Sequence, residues 1–266
     1  MKKLLVILSL LLATTLTACS GTKEDKVIRV GASPAPHAQI LEAIKPLIEA
    51  KGYTLEIVEY TDYVFPNTNV EEGELDANYF QHQPYLDYFN EKNGTHIVSV
   101  LAVHFEPLGL YPGKTASLDQ IQDGAKIAIP NDATNEARAL LLLQALGLIS
   151  VDPAKTEEAT VLDIISNPHN IQFTEIVAEN LVATLPDVDF AVINGNYALE
   201  GGITSTVLAT EEKDSQAGLT YANILAVKEG NENSKKTQIL VEALSSQTVK
   251  DFIADNYYPV VISVLN

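Results

Sequence analysis

Twice along this chain a short apolar run ends in a Gly, Pro, Asn or Asp turn and passes directly into residues of helical period. The first run, Val27-Ile28-Arg29-Val30-Gly31, meets Ser33-Pro34-Ala35-Pro36, a cap followed by early prolines. Ile40, Leu41, Ile44, Leu47 and Ile48 then recur at helical spacing in a stretch through Ala50. Gly52 ends that helix, and Tyr53–Tyr60 alternates as a strand. The second run, Ala125–Pro130, meets the turn and cap Asn131-Asp132-Ala133-Thr134 and predicts a helix from Glu136 to Leu148, closed near Gly147. Strand–helix–strand order joins parallel strands, and such units take ligands at the carboxyl ends of their strands. Further strands are expected at Ile171–Val177, Phe190–Asn194 and Tyr221–Val227, with helices around Glu179–Leu185 and near Ser234–Leu244. Two such starts in a chain of 266 residues fit two α/β lobes better than one large sheet.

Composition removes several alternatives. With 46% hydrophobic and 20% charged residues the chain can bury a core and is not a disordered sequence. Its 17 basic residues stand against 35 acidic ones, a formal net charge of −18 that repels phosphate backbones and argues against nucleic-acid partners. The single cysteine excludes an internal disulfide and a Cys-rich zinc site. That cysteine closes a leader: Lys2 and Lys3, an apolar run Leu4–Leu12, then Leu16-Thr17-Ala18-Cys19. The run is too short to span a membrane as a helix. Leu16-Thr17-Ala18-Cys19 resembles the bacterial lipobox, which implies removal of residues 1–18, lipidation of Cys19 and a flexible tether over residues 19–26. Loss of Lys2 and Lys3 takes the formal charge from −18 to −20.

Two features mark a candidate site. The window Asp76–Phe89 mixes five Tyr and Phe rings with amides and His82. Tyr88 and Phe89, on the helix that Pro84 starts, read as core. Tyr79, Phe80 and His82 fall at a strand end and turn, where rings and an imidazole make an apolar slot with polar edges. Arginine is the second feature, because Arg29 and Arg138 are the only two. Arg138 sits just inside the helix after Pro130, where a planar fork near a helix N-terminus suits a carboxylate. The competing reading is an exposed Arg138 paired with Glu136 or Asp132. Arg29 reads as structural or solvent-facing. His96 and His169 read as solvated, and His37 and His104 as cap or core contacts. The chain lacks GxSxG, HExxH and GxxxxGK[ST] patterns, and no nucleophile–base pair can be assembled, so it is not expected to be an enzyme or to need a cofactor.

Four separated segments, in order, resemble the methionine-binding lipoproteins of bacterial ABC importers, the MetQ/NlpA family. They are Leu75-Asp76-Ala77-Asn78-Tyr79-Phe80-Gln81-His82, Pro130–Leu143, Val192-Ile193-Asn194 and Tyr221-Ala222-Asn223-Ile224. The resemblance implies a two-lobed periplasmic-binding-protein-like α/β fold with a ligand cleft between the lobes. Residues 27–106 and 222–266 would form one lobe and residues 107–221 the other. It implies capture of methionine and its delivery to a separate permease and ATPase from a lipid-anchored position on the extracytoplasmic face of the membrane. The ligand-contact positions it carries over are Tyr63, Phe80, His82, Arg138, Asn194 and Asn223. Tyr63, Phe80 and His82 would enclose the thioether, Arg138 would hold the α-carboxylate, and the two asparagines would serve the polar groups of the ligand. Asn196 is a substitute for Asn194, since strand alternation would put both on one face. Ala137 stands where many relatives carry Gly. Another small amino acid, a methionine-containing dipeptide, or an adhesin on the same fold remain alternative functions.

Overall fold

The computed structural model describes residues 25–212 and 219–265. The leader and Cys19 lie outside the described residues. In chain order the elements are β1 (Val27–Ala32), α1 (Gln39–Glu49), β2 (Thr54–Glu59), α2 (Phe65–Glu72), β3 (Ala77–His82), α3 (Gln83–Asn93) and β4 (Ile97–Phe105). There follow β5 (Gly109–Pro112), β6 (Lys126–Pro130), α4 (Ala133–Ala145), β7 (Ser150–Val151), β8 (Ile164–Ser166), β9 (Gln172–Ile176), α5 (Leu181–Thr184), β10 (Phe190–Ile193), α6 (Gly195–Glu200) and β11 (Ala209–Thr210). The chain ends with β12 (Ala222–Lys228), α7 (Lys235–Leu244), α8 (Gln247–Asn256) and β13 (Ile262–Ser263).

These strands form two lobes. A six-stranded sheet runs β13-β4-β12-β3-β1-β2, and a five-stranded sheet runs β11-β5-β10-β6-β9. In each, one half is parallel and built by strand–helix–strand crossovers, β2-β1-β3 in the first and β10-β6-β9 in the second. The other half of each is antiparallel, made where β12 pairs with β3 and β4, and where β5 pairs with β10 and β11. The chain crosses from the first sheet to the second between β4 and β5 and returns between β11 and β12. No helix among the described residues is long and apolar enough to cross a membrane.

Each lobe has its own core. Ile28, Val30 and Ala32 of β1 are fully buried and pack with Ile40, Leu41, Ile44 and Ile48, the predicted face of α1. Ile127 and Ile129 of β6 pack with Leu140 and Leu143 of α4 and with Phe190 and Val192 of β10. Burying a Leu, Ile or Phe side chain contributes about 1.5–3 kcal/mol, so these alternating and helical patterns are the main force that sets both lobes.

The structure moves several expected boundaries. Pro34 and Pro36 lack amide hydrogens, so residues 34–38 form a tight turn closed by Ala38 N–H on the Ser33 carbonyl at 3.0 Å, and α1 starts only at Gln39. Conversely α4 starts at Ala133 rather than Glu136, because the Asp132 side chain accepts the Asn135 N–H and caps the helix. Strand β10 stops at Ile193, which makes Asn194 the cap residue of α6 and puts Asn196 inside that helix. Strand alternation is therefore the wrong reason for linking Asn194 and Asn196, since a helix turn relates them. Phe89 is buried as expected, whereas Tyr88 is only half-buried, with the Lys92 ammonium over its ring.

Candidate functional site

All six predicted contact residues, Tyr63, Phe80, His82, Arg138, Asn194 and Asn223, line one cleft between the lobes. The free volume that the cleft encloses is small, about 20 Å³. Tyr79 does not join them. It is fully buried, and its hydroxyl bonds His104 Nδ1 behind the cleft wall. Adjacent strand residues face opposite ways, so the sheet that turns Phe80 toward the ligand turns Tyr79 into the core.

The apolar wall is aromatic. Tyr63 packs against Phe80 and Tyr85 at centroid distances of 5.7 and 5.8 Å, and against Tyr197 of the second lobe at 5.2 Å. Its hydroxyl donates to Asn196 Oδ1 at 2.6 Å, and the Tyr197 hydroxyl donates back to the Thr61 carbonyl at 2.8 Å. Helix α3 locks His82, whose Nδ1 accepts the Tyr85 N–H at 3.2 Å as the helix cap. Nε2 of His82 therefore carries the proton and faces Asn135 Oδ1 across the cleft at 3.3 Å. Asn135 is fixed in turn by Asp132, which accepts its Nδ2 at 2.9 Å, and it accepts Asn194 Nδ2 at 3.0 Å.

Arg138 is buried, not exposed, and its partner is neither Glu136 nor Asp132. Nε and Nη2 make a bidentate pair with Glu211 at 2.7 and 2.6 Å, and Nη2 also donates to the Glu106 carbonyl at 2.8 Å. The guanidinium lies over the Tyr221 ring, 4.5 Å from its centroid. Glu211 lies 73 residues away in sequence, so no local pattern points to the pair.

Behind Arg138 is a second buried polar group, of which the sequence reading considered only His37 and His104, as cap or core contacts. Glu106 lines the cleft, and its carboxylate accepts His104 Nε2 at 2.7 Å, with His37 Nε2 at 3.4 Å. His37 Nε2 bonds Asn223 Oδ1 at 2.8 Å. Burial pushes His104 and His82 down to about 3 and His37 to about 4, the Arg138 charge adding to the effect on His82. All three imidazoles are neutral at neutral pH. Burial raises Glu106, against which the Arg138 charge and the Asn196 backbone N–H favour the ionised form. Gln81, Tyr85, Glu106, Asn135 and Gly195 are the lining residues that sequence reasoning missed. The available signal was His104-Phe105-Glu106, an imidazole and a carboxylate two apart at a strand end.

Three buried atoms around this cleft have no hydrogen-bond partner among the described residues: Asn194 Oδ1, Asn196 Nδ2 and His37 Nδ1. An unmet acceptor and an unmet donor in one cleft are uncommon in a finished core, where nearly all such atoms are paired. With the aromatic wall and the buried guanidinium they describe a site for a small molecule with one apolar arm and polar groups of both kinds.

Two α/β lobes around such a cleft are the architecture of a substrate-binding protein. The NlpA lipoprotein family model matches residues 28–264, and the chain belongs to that family. It is similar to the methionine-binding lipoprotein MetQ of Bacillus subtilis, 38% identical with 99% of each chain covered. A lipoprotein crystal structure from Ruminococcus gnavus superposes with a TM-score of 0.88 at 50% identity, covering 90% of this chain and 99% of that one. A nutrient-binding protein from Burkholderia cenocepacia, solved with methionine bound, superposes with a TM-score of 0.84 at 38% identity, covering 89% of this chain and 99% of the other.

Proposed function

We propose that this chain is the substrate-binding component of an ABC importer, that it captures methionine between its lobes, and that it presents the closed complex to a separate permease and ATPase. Family membership and the methionine-bound relative support the ligand, and the cleft supports its class. The observation that carries the reading is the pair of buried, unpartnered amide atoms Asn194 Oδ1 and Asn196 Nδ2 beside Arg138, in a cleft otherwise walled by rings. An amino acid supplies an ammonium and a carboxylate to such a pair.

In this reading Tyr63, Phe80 and His82 contact the thioether arm, where each sulfur–aromatic contact contributes about 0.3–1.5 kcal/mol. Arg138 Nη1, the guanidinium nitrogen not committed to Glu211 or Glu106, meets the ligand carboxylate together with Asn196 Nδ2. Asn194 and Asn223 complete the polar contacts. The lobes are residues 27–106 with 222–266, and 107–221, and the connection between β4 and β5 serves in the hinge. Lipid on Cys19 would hold the body at the extracytoplasmic membrane face, in keeping with the lipoprotein family it belongs to.

Titration calorimetry on the full chain in detergent tests this, with L-methionine, D-methionine, norleucine and glycyl-methionine as ligands. L- or D-methionine is expected to bind more tightly than norleucine, and Arg138→Ala to weaken it by at least tenfold, the scale of a lost charge-assisted bond. Tighter binding of norleucine or the dipeptide would reassign the ligand, and an unaltered affinity in Arg138→Ala would remove the carboxylate role.

A further inference from the structure

Two gaps between the lobes lie on opposite sides of the connection from β4 to β5. Glu106 lines the ligand cleft, and the next residue, Pro107, lines a second gap behind it. Gly195, the first residue of α6, borders both. Each lobe builds one wall of the rear gap. Tyr111 of β5 and Val207 belong to the packing of the second lobe. Pro259 and Val260 come from the C-terminal segment of the first lobe, where Val260 packs against the core of β1 and α1. The two gaps differ in width. The ligand cleft retains about 20 Å³ and is held shut by the lobe-to-lobe bonds of Tyr63 to Asn196 and of Tyr197 to Thr61. The rear gap retains about 240 Å³. The lobes are thus closed at the front and parted at the back. Rotation about a connection that runs between two gaps changes them in opposite senses, so opening the cleft brings Pro259 and Val260 toward Tyr111 and Val207. That approach removes apolar surface from water and favours the open arrangement.

We propose that the rear gap is a second control point of lobe closure, wide when the cleft is shut and narrowed by apolar contact when it opens, so that it competes with the ligand for the position of the lobes. The proposal rests on the reading of this chain as a binding protein that closes on its ligand, and adds where the opposing contact lies. Ligand affinity is then set in part by residues that never touch the ligand. The apparent dissociation constant is the intrinsic one divided by the fraction of protein already in the binding-competent form. A group that occupies the rear gap and blocks its narrowing raises that fraction and tightens binding. Thr204 and Thr210 are placed for such a group. Thr204 is half-buried and Thr210 exposed, and both line the rear gap on its second-lobe side and lie outside the ligand cleft. An indole at either position has room in the gap as it stands and meets Pro259 and Val260 when the gap narrows.

The test combines calorimetry with L-methionine and hydrogen exchange without ligand, on the full chain in detergent. The proteins are wild type, Thr204→Trp and Thr204→Ser, with a thermal melt of each to confirm folding, and Thr210→Trp takes the place of Thr204→Trp if that variant melts early. Thr204→Trp is expected to lower the methionine dissociation constant by roughly 3- to 30-fold, with the reciprocal of the wild-type closed fraction as the ceiling, and Thr204→Ser to change it less than about twofold. Without ligand, peptides covering residues 61–65 and 194–198, which face each other across the cleft, are expected to exchange more slowly in Thr204→Trp than in wild type. An unchanged or weakened methionine affinity in the folded Trp variant overturns the proposal. So does tighter binding without slower exchange, because the gain would then not come from closure. The wild-type titration separates the two levels of inference. If wild type binds no amino acid, the ligand reading fails by itself and the exchange comparison still decides the gap: slower exchange in the Trp variant supports it and equal exchange ends it.

Discussion

Replacing Glu211 by Gln removes the charge that neutralises Arg138 while keeping the side chain's shape. The side chains of Arg138 and Glu211 are 4% and 10% exposed, so water cannot take over the pairing. Breaking a buried pair from one side costs about 3–5 kcal/mol, since the remaining charge stays desolvated. Gln retains one acceptor for Nε or Nη2, which puts the expected loss near the lower end, at about 3 kcal/mol. The Leu108 N–H, now bonded to Glu211 Oε2 at 2.8 Å, loses a charged acceptor as well. For a chain of this size about 3 kcal/mol corresponds to a fall in Tm of roughly 6–12 °C. Saturating methionine should recover part of that fall, because the ligand carboxylate is the other anion within reach of this guanidinium. Differential scanning fluorimetry of both proteins, with and without ligand, gives all four values. A fall below about 2 °C would mean the pair is not desolvated. A ligand-induced shift no larger in Glu211→Gln than in wild type would show that the ligand carboxylate does not meet Arg138.

Acid should unfold this protein early. His37, His82 and His104 have folded-state values pushed down by burial to between about 3 and about 4, so below about 6.5 the unfolded chain binds more protons than the native one. Their contribution is complete above about pH 6.5 and is lost as pH falls toward 4, by about 2 kcal/mol per histidine at pH 5. Glu106 and Asp132, raised by burial, take protons in the native state first and offset part of this loss. Melting curves from pH 7.5 to 4.5 should show a steep fall, and a flat profile would contradict the buried neutral imidazoles. Phe80→Ala removes a ring that is 4% exposed and faces Tyr63, and should weaken methionine by roughly 10- to 100-fold by calorimetry, from lost apolar and sulfur contacts.

Both cores were legible in the sequence because their signals are local. Ile28, Val30 and Ala32 alternate, Ile40 to Ile48 repeat at helical spacing, and these residues are the ones that meet. The cleft was legible only where a residue type was itself unusual, as with Arg138 or the rings around His82. What was hidden depends on long-range pairing. Glu211 is one of 35 acidic residues, and nothing near it in sequence distinguishes it until the fold places it on Arg138. Glu106 was hidden for a related reason: His37, His104 and Tyr79 come from three separate segments, and each alone resembles a residue of the core. Asn194 and Asn196 were linked for the wrong reason, because a cap cannot be told from a strand residue when both follow an apolar run.

The unpartnered amides also bear on how the lobes move. Beside the Tyr63–Tyr197 ring contact, three neutral hydrogen bonds cross the cleft: Tyr63 with Asn196, Tyr197 with Thr61, and His82 with Asn135. Each neutral hydrogen bond contributes about 0.5–1.5 kcal/mol net. Closing the lobes buries Asn194 Oδ1 and Asn196 Nδ2 at a cost of about 1–3 kcal/mol each unless a partner enters with them. Gain and cost are therefore of similar size without ligand, and a ligand that supplies both partners tips the balance by several kcal/mol, enough to convert a minor closed population into the dominant one. Small-angle scattering should then show a smaller radius of gyration with methionine than without it. Tyr197→Phe, which deletes a single cross-cleft bond, should weaken binding about two- to tenfold with little change in the Tm of the ligand-free chain. Identical scattering curves with and without ligand would refute this balance, because the ligand would then be entering a cleft that its own polar groups do not help to close.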